Sequence, residues 1–516
     1  MQVSSKTLTT ILNYWVKKRI NMAAYPQDKS VILTVFLFFL SVPIYLIAQV
    51  LPDQIWLYGT NEFSGQLGYG NALLKFENGE VSSFEKNLYM NFESTMAVMP
   101  DSLGSVLFYT NGCYIANAAG DTMLNGIDIN PGEMHDWTCP TSGYTSPLGA
   151  MILQMPGHAN LYYLFHMGVK YGPERRLSYG PFYYTIIDMN LAGGKGAVIS
   201  KNNIVSNGNL EPFVAVRHGN GRDWWLIFPG YGTNKYHKLL FSESGLKDLG
   251  EQEIGQNMSC RYIGSSAFSP NGIRYVRQHS CSVEVMDFDR CSGQFSNERN
   301  LPLSSNVFGG GGVAFSNNGN RLFVSTQLSI QSADLTQPFP VLDTIVGTNE
   351  VIGSSLHLMQ YAPDGKIYLS NLGRGKFYHT INHPDDSGID FKQRGLSLSN
   401  FSVRTLPNYP NYRLYDVPGS SCDTLGINAP TVDTKSIDDN SLIVWPNPVK
   451  DVLYIQSKEQ TEIIYIFDSS GRMIYGLSAQ KFGDRIVINV QNLPSGLYYF
   501  LFQTTGGVRA GKFVKE

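Results

Sequence analysis

One phrase that recurs along the middle of this chain limits what it can fold into. "AFSPNGIRYV", from Ala267, returns as "AFSNNGNRLFV" from Ala314 and as "QYAPDGKIYLS" from Gln360. The turn glycines Gly272, Gly319 and Gly365 stand 47 and 46 residues apart, a period suited to a blade of four strands. Each copy reads as a hairpin: an apolar run enters an Asn-Gly or Asp-Gly turn, where glycine supplies the positive φ, and an alternating strand leaves it. Looser copies lie upstream, "AVRHGNGRDWWLIF" from Ala215, "ILQMPGHANLYYLF" from Ile152 and "AVMPDSLGSVLFYT" from Ala97. With "QIWLYG" from Gln54 they make about seven units, and because one sheet cannot bury both of its faces alone, a ring of stacked sheets supplies the core. The expected fold is all-β: a seven-bladed β-propeller over residues 50–417. Its first strand, near residues 55–58, would complete a blade with the last, near residues 412–415.

The ends of the chain depart from this rhythm. Residues 1–49 form an N-terminal extension with an uncharged run, Val31 to Ala48, interrupted by Pro43. That run is long enough for either an export signal or an anchor. Lys29 before it, Ala48 at its end and strand-like sequence from Gln54 favour a cleaved signal peptide, with Met22 as the start and a mature chain beginning near Val50 and holding no stable membrane span. A formal charge of −3, with charged residues at only 16% and the one basic cluster at Lys17 to Arg19, gives no reason to expect nucleic acid or an anionic membrane as partner.

At the other end, residues 418–440 are rich in Ser, Asp, Thr and Pro and read as a linker. Then "WPNPVKDVLYI" opens a new β-domain, because Pro446 and Pro448 forbid helix while Val452, Tyr454 and Ile455 favour strand. Ser470-Gly471 and the stretch from Leu493 to Gly496 read as hairpin turns, and the strands between them would build a small immunoglobulin-like β-sandwich. Residues 441–516 resemble the C-terminal sorting domain of type IX secretion cargo. The resemblance is carried by "WPNPVKDVLYI", by "IIYIFDSSGRMIY" from Ile463 and by "INVQNLPSGLYYFLFQTTGGVRAGKFVKE" from Ile488. It rests on Pro446, Asn447, Pro448, Gly471, Leu493 and Gly496. It implies an address recognised by the type IX secretion machinery, export through the periplasm, and a secreted or outer-membrane surface-attached product. The body resembles the WD40-like propellers of secreted bacterial proteins in "DFDRCSG", "APDGKIYLS" and "LPNYPNYRL", a likeness that implies a fold and leaves activity open.

Six cysteines in an exported chain allow disulfides. Cys281 and Cys291 end what reads as one strand, roughly 30 Å long at about 3.3 Å per residue, too far apart to pair. Cys113 and Cys139 flank a polar loop and are the better candidate pair, with buried free thiols as the alternative.

No catalytic constellation and no cofactor motif emerges. "VFGGGGVAF", from Val307, lacks the Lys-Ser/Thr of a phosphate cradle and reads as close backbone approach where a strand enters the ring. His379, His383, Asp385 and Asp386 read as a turn at Pro384-Asp385 rather than a metal site. Trp224 and Trp225 on one strand place a ring on each face, at least one of them in the core. The loop "NGIDINPGEMHDWTC", from Asn125, breaks the blade rhythm with polar and aromatic groups, so Asp136 and Trp137 are the candidate ligand-binding residues. Three classes of function remain: a binding or interaction module for a glycan or surface protein, a polysaccharide-active or other hydrolytic or lyase enzyme on the same scaffold, and a structural cell-surface component.

Overall fold

In the computed structural model each of the seven hairpins expected of the body forms, and each begins an antiparallel sheet of its own. The structure describes residues 51–60, 66–77, 79–171, 177–257, 263–303, 311–347, 355–404, 406–427, 442–457, 461–468, 473–474, 479–482, 485–504 and 507–516; the N-terminal extension lies outside them. Gly272, Gly319 and Gly365 have φ of 72°, 72° and 81°. Their N–H groups return to the carbonyls of Ser269, Ser316 and Ala362 at 2.7, 2.9 and 3.0 Å. Only glycine adopts that backbone without steric cost, which explains its place in each copy of the phrase.

Sheet 1 holds Ile55–Thr60, Gly70–Glu77 and Glu80–Glu85; sheet 2 holds Ala97–Pro100, Val106–Thr110 and Ile115–Asn117. Sheets 3 to 7 have four strands each, paired in chain order, and open with Ala150–Gln154, Val214–Arg217, Ile263–Phe268, Val313–Phe315 and Met359–Tyr361. The apolar side chains are buried between sheets. Phe108 meets Tyr162 at 5.2 Å between sheets 2 and 3, Phe165 meets Phe241 at 5.4 Å between sheets 3 and 4, and Tyr236 meets Tyr275 at 5.8 Å between sheets 4 and 5. Shared clusters continue from sheet 5 to sheet 6 and from sheet 6 to sheet 7. Trp56 of sheet 1 then packs against Tyr368 of sheet 7 at 5.6 Å, in a cluster that also takes in Tyr109 of sheet 2. Each buried ring of this kind stabilises the fold by about 1.5–3 kcal/mol. The architecture is all-β and propeller-like.

Close backbone approach accounts for the described part of the glycine-rich stretch. A Cβ on Gly312 would stand 2.2 Å from the amide nitrogen of Met359, and one on Gly311 would stand 2.0 Å from the carbonyl oxygen of Ser325. Trp224 and Trp225 are both core: Trp224 sits between sheets 3 and 4, and Trp225 between sheets 4 and 5 with its indole N–H on the carbonyl of Arg290 at 2.8 Å. At Pro384-Asp385 the chain turns, with the Asp386 N–H on the carbonyl of His383 at 3.2 Å.

Four expectations need correction. Residues 412–415 form no strand, and Ile55–Thr60 pairs with Gly70–Glu77 in its own sheet rather than with the end of the chain; Pro407 and Pro410 remove backbone donors there, so the segment bonds through side chains. The first part of the expected linker is fastened: Cys422 is disulfide-bonded to Cys291 and the Asp416 N–H reaches the carbonyl of Ile427 at 3.3 Å. The polar loop from Asn125 contains a short helix, Glu133–Thr138, with Glu133 and Asp136 in its first turn, where carboxylates favour helix. Finally, the stretch from Leu493 to Gly496 joins strands of two different sheets and so turns no hairpin.

Cys113 and Cys139 are joined by a disulfide with Cα atoms 5.6 Å apart, and Cys281 is also disulfide-bonded. In the tail, Leu442–Trp445, Val452–Ser457, Arg485–Asn489 and Ala479–Phe482 form one four-stranded sheet; Met473–Ile474, Thr461–Asp468, Gly496–Thr504 and Gly507–Lys515 form a second. Leu453, Ile455 and Ile488 of the first share a core with Phe500 and Phe513 of the second.

Candidate binding cavity

The segment that follows sheet 7, residues 406–417, is the organising element of the body's interior. Its side chains bond to backbone carbonyls in or beside the opening strands of successive sheets. Asn408 Nδ2 donates to Leu148 at 2.8 Å and to Phe213 at 2.9 Å. The Tyr409 hydroxyl lies 2.9 Å from the carbonyl of Ile55 and 3.2 Å from that of Val98. Asn411 Nδ2 donates to Pro270 at 2.7 Å, and the Tyr412 hydroxyl donates to Ile152 at 3.3 Å. The first strand of each sheet is an edge, with carbonyls that require partners when buried. This segment supplies them from the inside.

Between the segment and the opening strands of sheets 4 to 7 lies a cavity of about 540 Å³. Val214, Ala267, Phe315 and Met359 give it apolar walls, while Ser269, Asn317, Gln360 and Asn411 add polar groups. Asp53 and Arg413 also line it and form an ion pair through Asp53 Oδ2 and Arg413 Nη1. Burial raises the Asp53 pKa above the usual carboxylate value, and Arg413 opposes that rise. Asp53 Oδ1 has no hydrogen-bond partner, whereas the Arg413 side chain is 40% exposed. Tyr361 donates to Asn317 Oδ1 at 3.0 Å, and its phenol is pushed up to about 12, chiefly by burial. Asp53 is the one carboxylate side chain on the cavity wall among the described residues.

A second concentration of charge lies between sheets 4 and 5. Arg277 is fully buried with Glu211, Glu284, Tyr236 and His279 around it. Glu284 Oε2 accepts from the Tyr236 hydroxyl at 2.7 Å and lies 3.6 Å from Arg277 Nη1. His279 stands 4.0 Å from Glu211 and 3.9 Å from Glu284. Burial alone would lower the Arg277 pKa, but the adjoining Glu211 carboxylate outweighs it and the value is raised. This cluster holds two sheets together and does not line the cavity.

Asp136 and Trp137 sit on the short helix Glu133–Thr138, away from the cavity lining. Asp136 is exposed, with Oδ1 3.3 Å from His135 Nδ1, and Trp137 is 65% exposed. In the tail, Pro446, Asn447 and Pro448 lie between the strands Leu442–Trp445 and Val452–Ser457, and Asn447 Oδ1 accepts from the Val514 N–H at 2.8 Å. Leu493 is buried in the tail core and Gly496 begins a strand, while Gly471 falls outside the described residues. Sequence reasoning missed Asp53, Asn408, Tyr409, Asn411 and Arg413. The available signal was the doubled Asn-Tyr of "LPNYPNYRL", polar groups between prolines where the blade pattern had ended.

Residues 443–516 match the family model described as the secretion system C-terminal sorting domain. The chain is therefore a β-propeller-like protein that carries a type IX sorting domain, and that domain directs its export to the cell surface or the medium. No curated protein matches the chain. Among solved structures it is similar to a Bacteroides fragilis protein with a provisional 6-phosphogluconolactonase assignment, at 11% identity over 68% of this chain and 96% of that one, with a TM-score of 0.43. It is also similar to the β-propeller domain of Cps50 (Swd1) from Myceliophteria thermophila, at 9% identity over 60% and 89% of the two chains and a TM-score of 0.34. A third is PorZ, a surface component of the type IX secretion system of Porphyromonas gingivalis, at 12% identity over 87% and 68% and a TM-score of 0.30. No helix among the described residues is long and apolar enough to cross a membrane.

Proposed function

We propose that the chain is an exported binding module: a seven-bladed β-propeller with a ligand site in its central channel, followed by an immunoglobulin-like sorting domain. On this reading Val31 to Ala48 is the cleaved export signal and sheets 1 to 7 are the blades. The shared clusters that run from each sheet to the next, and from sheet 7 to sheet 1, support the closed ring. The observation that carries the binding role is the cavity of about 540 Å³ beside residues 408–414, which has the size, apolar walls and few placed polar groups of a small-molecule site. Arg413 is its exposed cation, and its pairing with Asp53 keeps the wall near neutrality, which suits a small polar ligand over a strongly charged one. A two-carboxylate glycosidase mechanism draws no support from a wall with a single carboxylate. The test is a thermal-shift screen of the purified protein against neutral and acidic monosaccharides, amino acids and dipeptides. A compound that raises the melting temperature of the native protein and fails to do so with Arg413→Ala supports the site; a screen with no such compound rejects it.

A further inference from the structure

Trp137 is an anomaly among the tryptophans of the body. Trp56, Trp224 and Trp225 are 2%, 2% and 3% exposed, whereas Trp137 leaves 65% of its surface in water. One exposed ring alone is ordinary; what sets this one apart is that it sits on a fastened element beside a second exposed ring. The helix Glu133–Thr138 that bears it is anchored by the buried Met134, which packs in a cluster with Cys113, Tyr144 and Val169, and by the adjoining Cys113–Cys139 disulfide. A second aromatic ring comes from a distant part of the chain: Tyr171, 38% exposed, lies with its ring centre 6.5 Å from that of Trp137 at an angle of 39°. Its strand, Leu161–Tyr171, is pinned from behind by the Tyr144 hydroxyl, which accepts from the Val169 N–H at 2.7 Å.

We propose that Trp137 and Tyr171 form the floor of a saccharide-binding site separate from the channel cavity. Two adjoining rings, inclined to each other at 39°, present apolar faces on which the C–H faces of consecutive, mutually rotated sugar units pack. Asp136, 82% exposed at the side chain, accepts hydrogen bonds from sugar hydroxyls beside the floor. The charge beside the patch favours a sugar over a protein partner. Glu133 and Asp136 on the helix and Lys170 before Tyr171 are exposed and charged, so among the described residues charge flanks the rings along the chain, unlike the apolar, charge-depleted centre of a stable protein interface. Because both rings are held before any ligand arrives, little ordering opposes binding.

The test is titration of the purified protein with oligosaccharides of glucose, galactose, mannose, xylose and N-acetylglucosamine, read by calorimetry and by tryptophan fluorescence. At least one sugar is expected to bind and to shift the emission to the blue as Trp137 is covered. Trp137→Ala is expected to weaken that sugar by about tenfold or more, Trp137→Phe to hold it within about threefold while abolishing the shift, and Arg413→Ala to leave it unchanged. Failure of every sugar to bind, or an unchanged Kd in Trp137→Ala, overturns the site. Loss of binding in Arg413→Ala with Trp137→Ala intact would overturn it as well, and would place the sugar in the channel.

Discussion

Arg277 grips Glu211 through two hydrogen bonds, Nε to Oε2 at 2.7 Å and Nη2 to Oε1 at 2.6 Å. The pair joins sheet 5 to the strand connection before sheet 4, where water does not reach. Arg277→Met removes the cation and leaves the Glu211 and Glu284 carboxylates buried without it. It is expected to destabilise the body by about 3–5 kcal/mol, seen as a lower melting temperature in calorimetry. A melt indistinguishable from the parent would show that the cluster contributes nothing to stability.

The segment after sheet 7 makes a similar prediction at lower cost. Asn408→Ala strips partners from the carbonyls of Leu148, partly buried, and Phe213, buried, at about 1–3 kcal/mol for a buried acceptor left unsatisfied. Thermal denaturation of the variant measures it, and a shift no larger than that of an exposed polar-to-alanine change would rule out the bracing role.

Acid sensitivity follows from two buried histidines. Burial lowers the His166 pKa from 6.5 to about 3 and that of His357 from 6.5 to about 4. Both are neutral in the folded chain, so the unfolded chain binds more protons once the pH falls below about 6.5. Stability is therefore full above that pH and falls as the pH drops toward the folded values, by about 1.4 kcal/mol per pH unit for each histidine. Denaturant titrations between pH 7 and about 4.5 test this; His166→Gln should flatten the slope, and an unaltered slope would remove His166 from the account.

The disulfide between Cys291 and Cys422 closes a loop with a sequence separation of 131, worth about 5 kcal/mol on the chain-entropy account. Replacing both cysteines with serine should free residues 418–427, so that limited proteolysis cuts there first. Resistance equal to the parent would show that the surrounding hydrogen bonds suffice.

Deleting residues 442–516 should leave the body folded, with an unchanged melting transition, and hold the protein in the periplasm. Fusion of residues 418–516 to an unrelated exported protein should carry that protein to the surface of a type IX host. Cell fractionation decides both. Surface delivery of the shortened chain at normal levels would mean that export does not depend on this domain.

The elements that local chemistry dictates were legible. Asn271-Gly272, Asn318-Gly319 and Asp364-Gly365 announce their turns because only a residue without a side chain takes that φ freely. The alternation around them reports which face of each strand is buried. The Trp224-Trp225 pair could be assigned by the same parity. What escaped were contacts between residues far apart in the chain. Nothing near Asn408 indicates that its amide will meet Leu148 and Phe213, since edge carbonyls needing partners carry no mark in the sequence. The closure by residues 412–415 failed for that reason: Tyr412 looked like a strand residue, but its hydroxyl is spent on Ile152. The helix Glu133–Thr138 is too short for a periodic signal.

The residues that brace the opening strands from the inside are made after all seven sheets. A keystone is set last, and its bonds reach back to carbonyls in or beside the opening strands of sheets 1 to 5. Those strands gain these partners only once the last span of the body is present. The Cys422 staple and the sorting domain follow it in the chain, so the address is written after the brace.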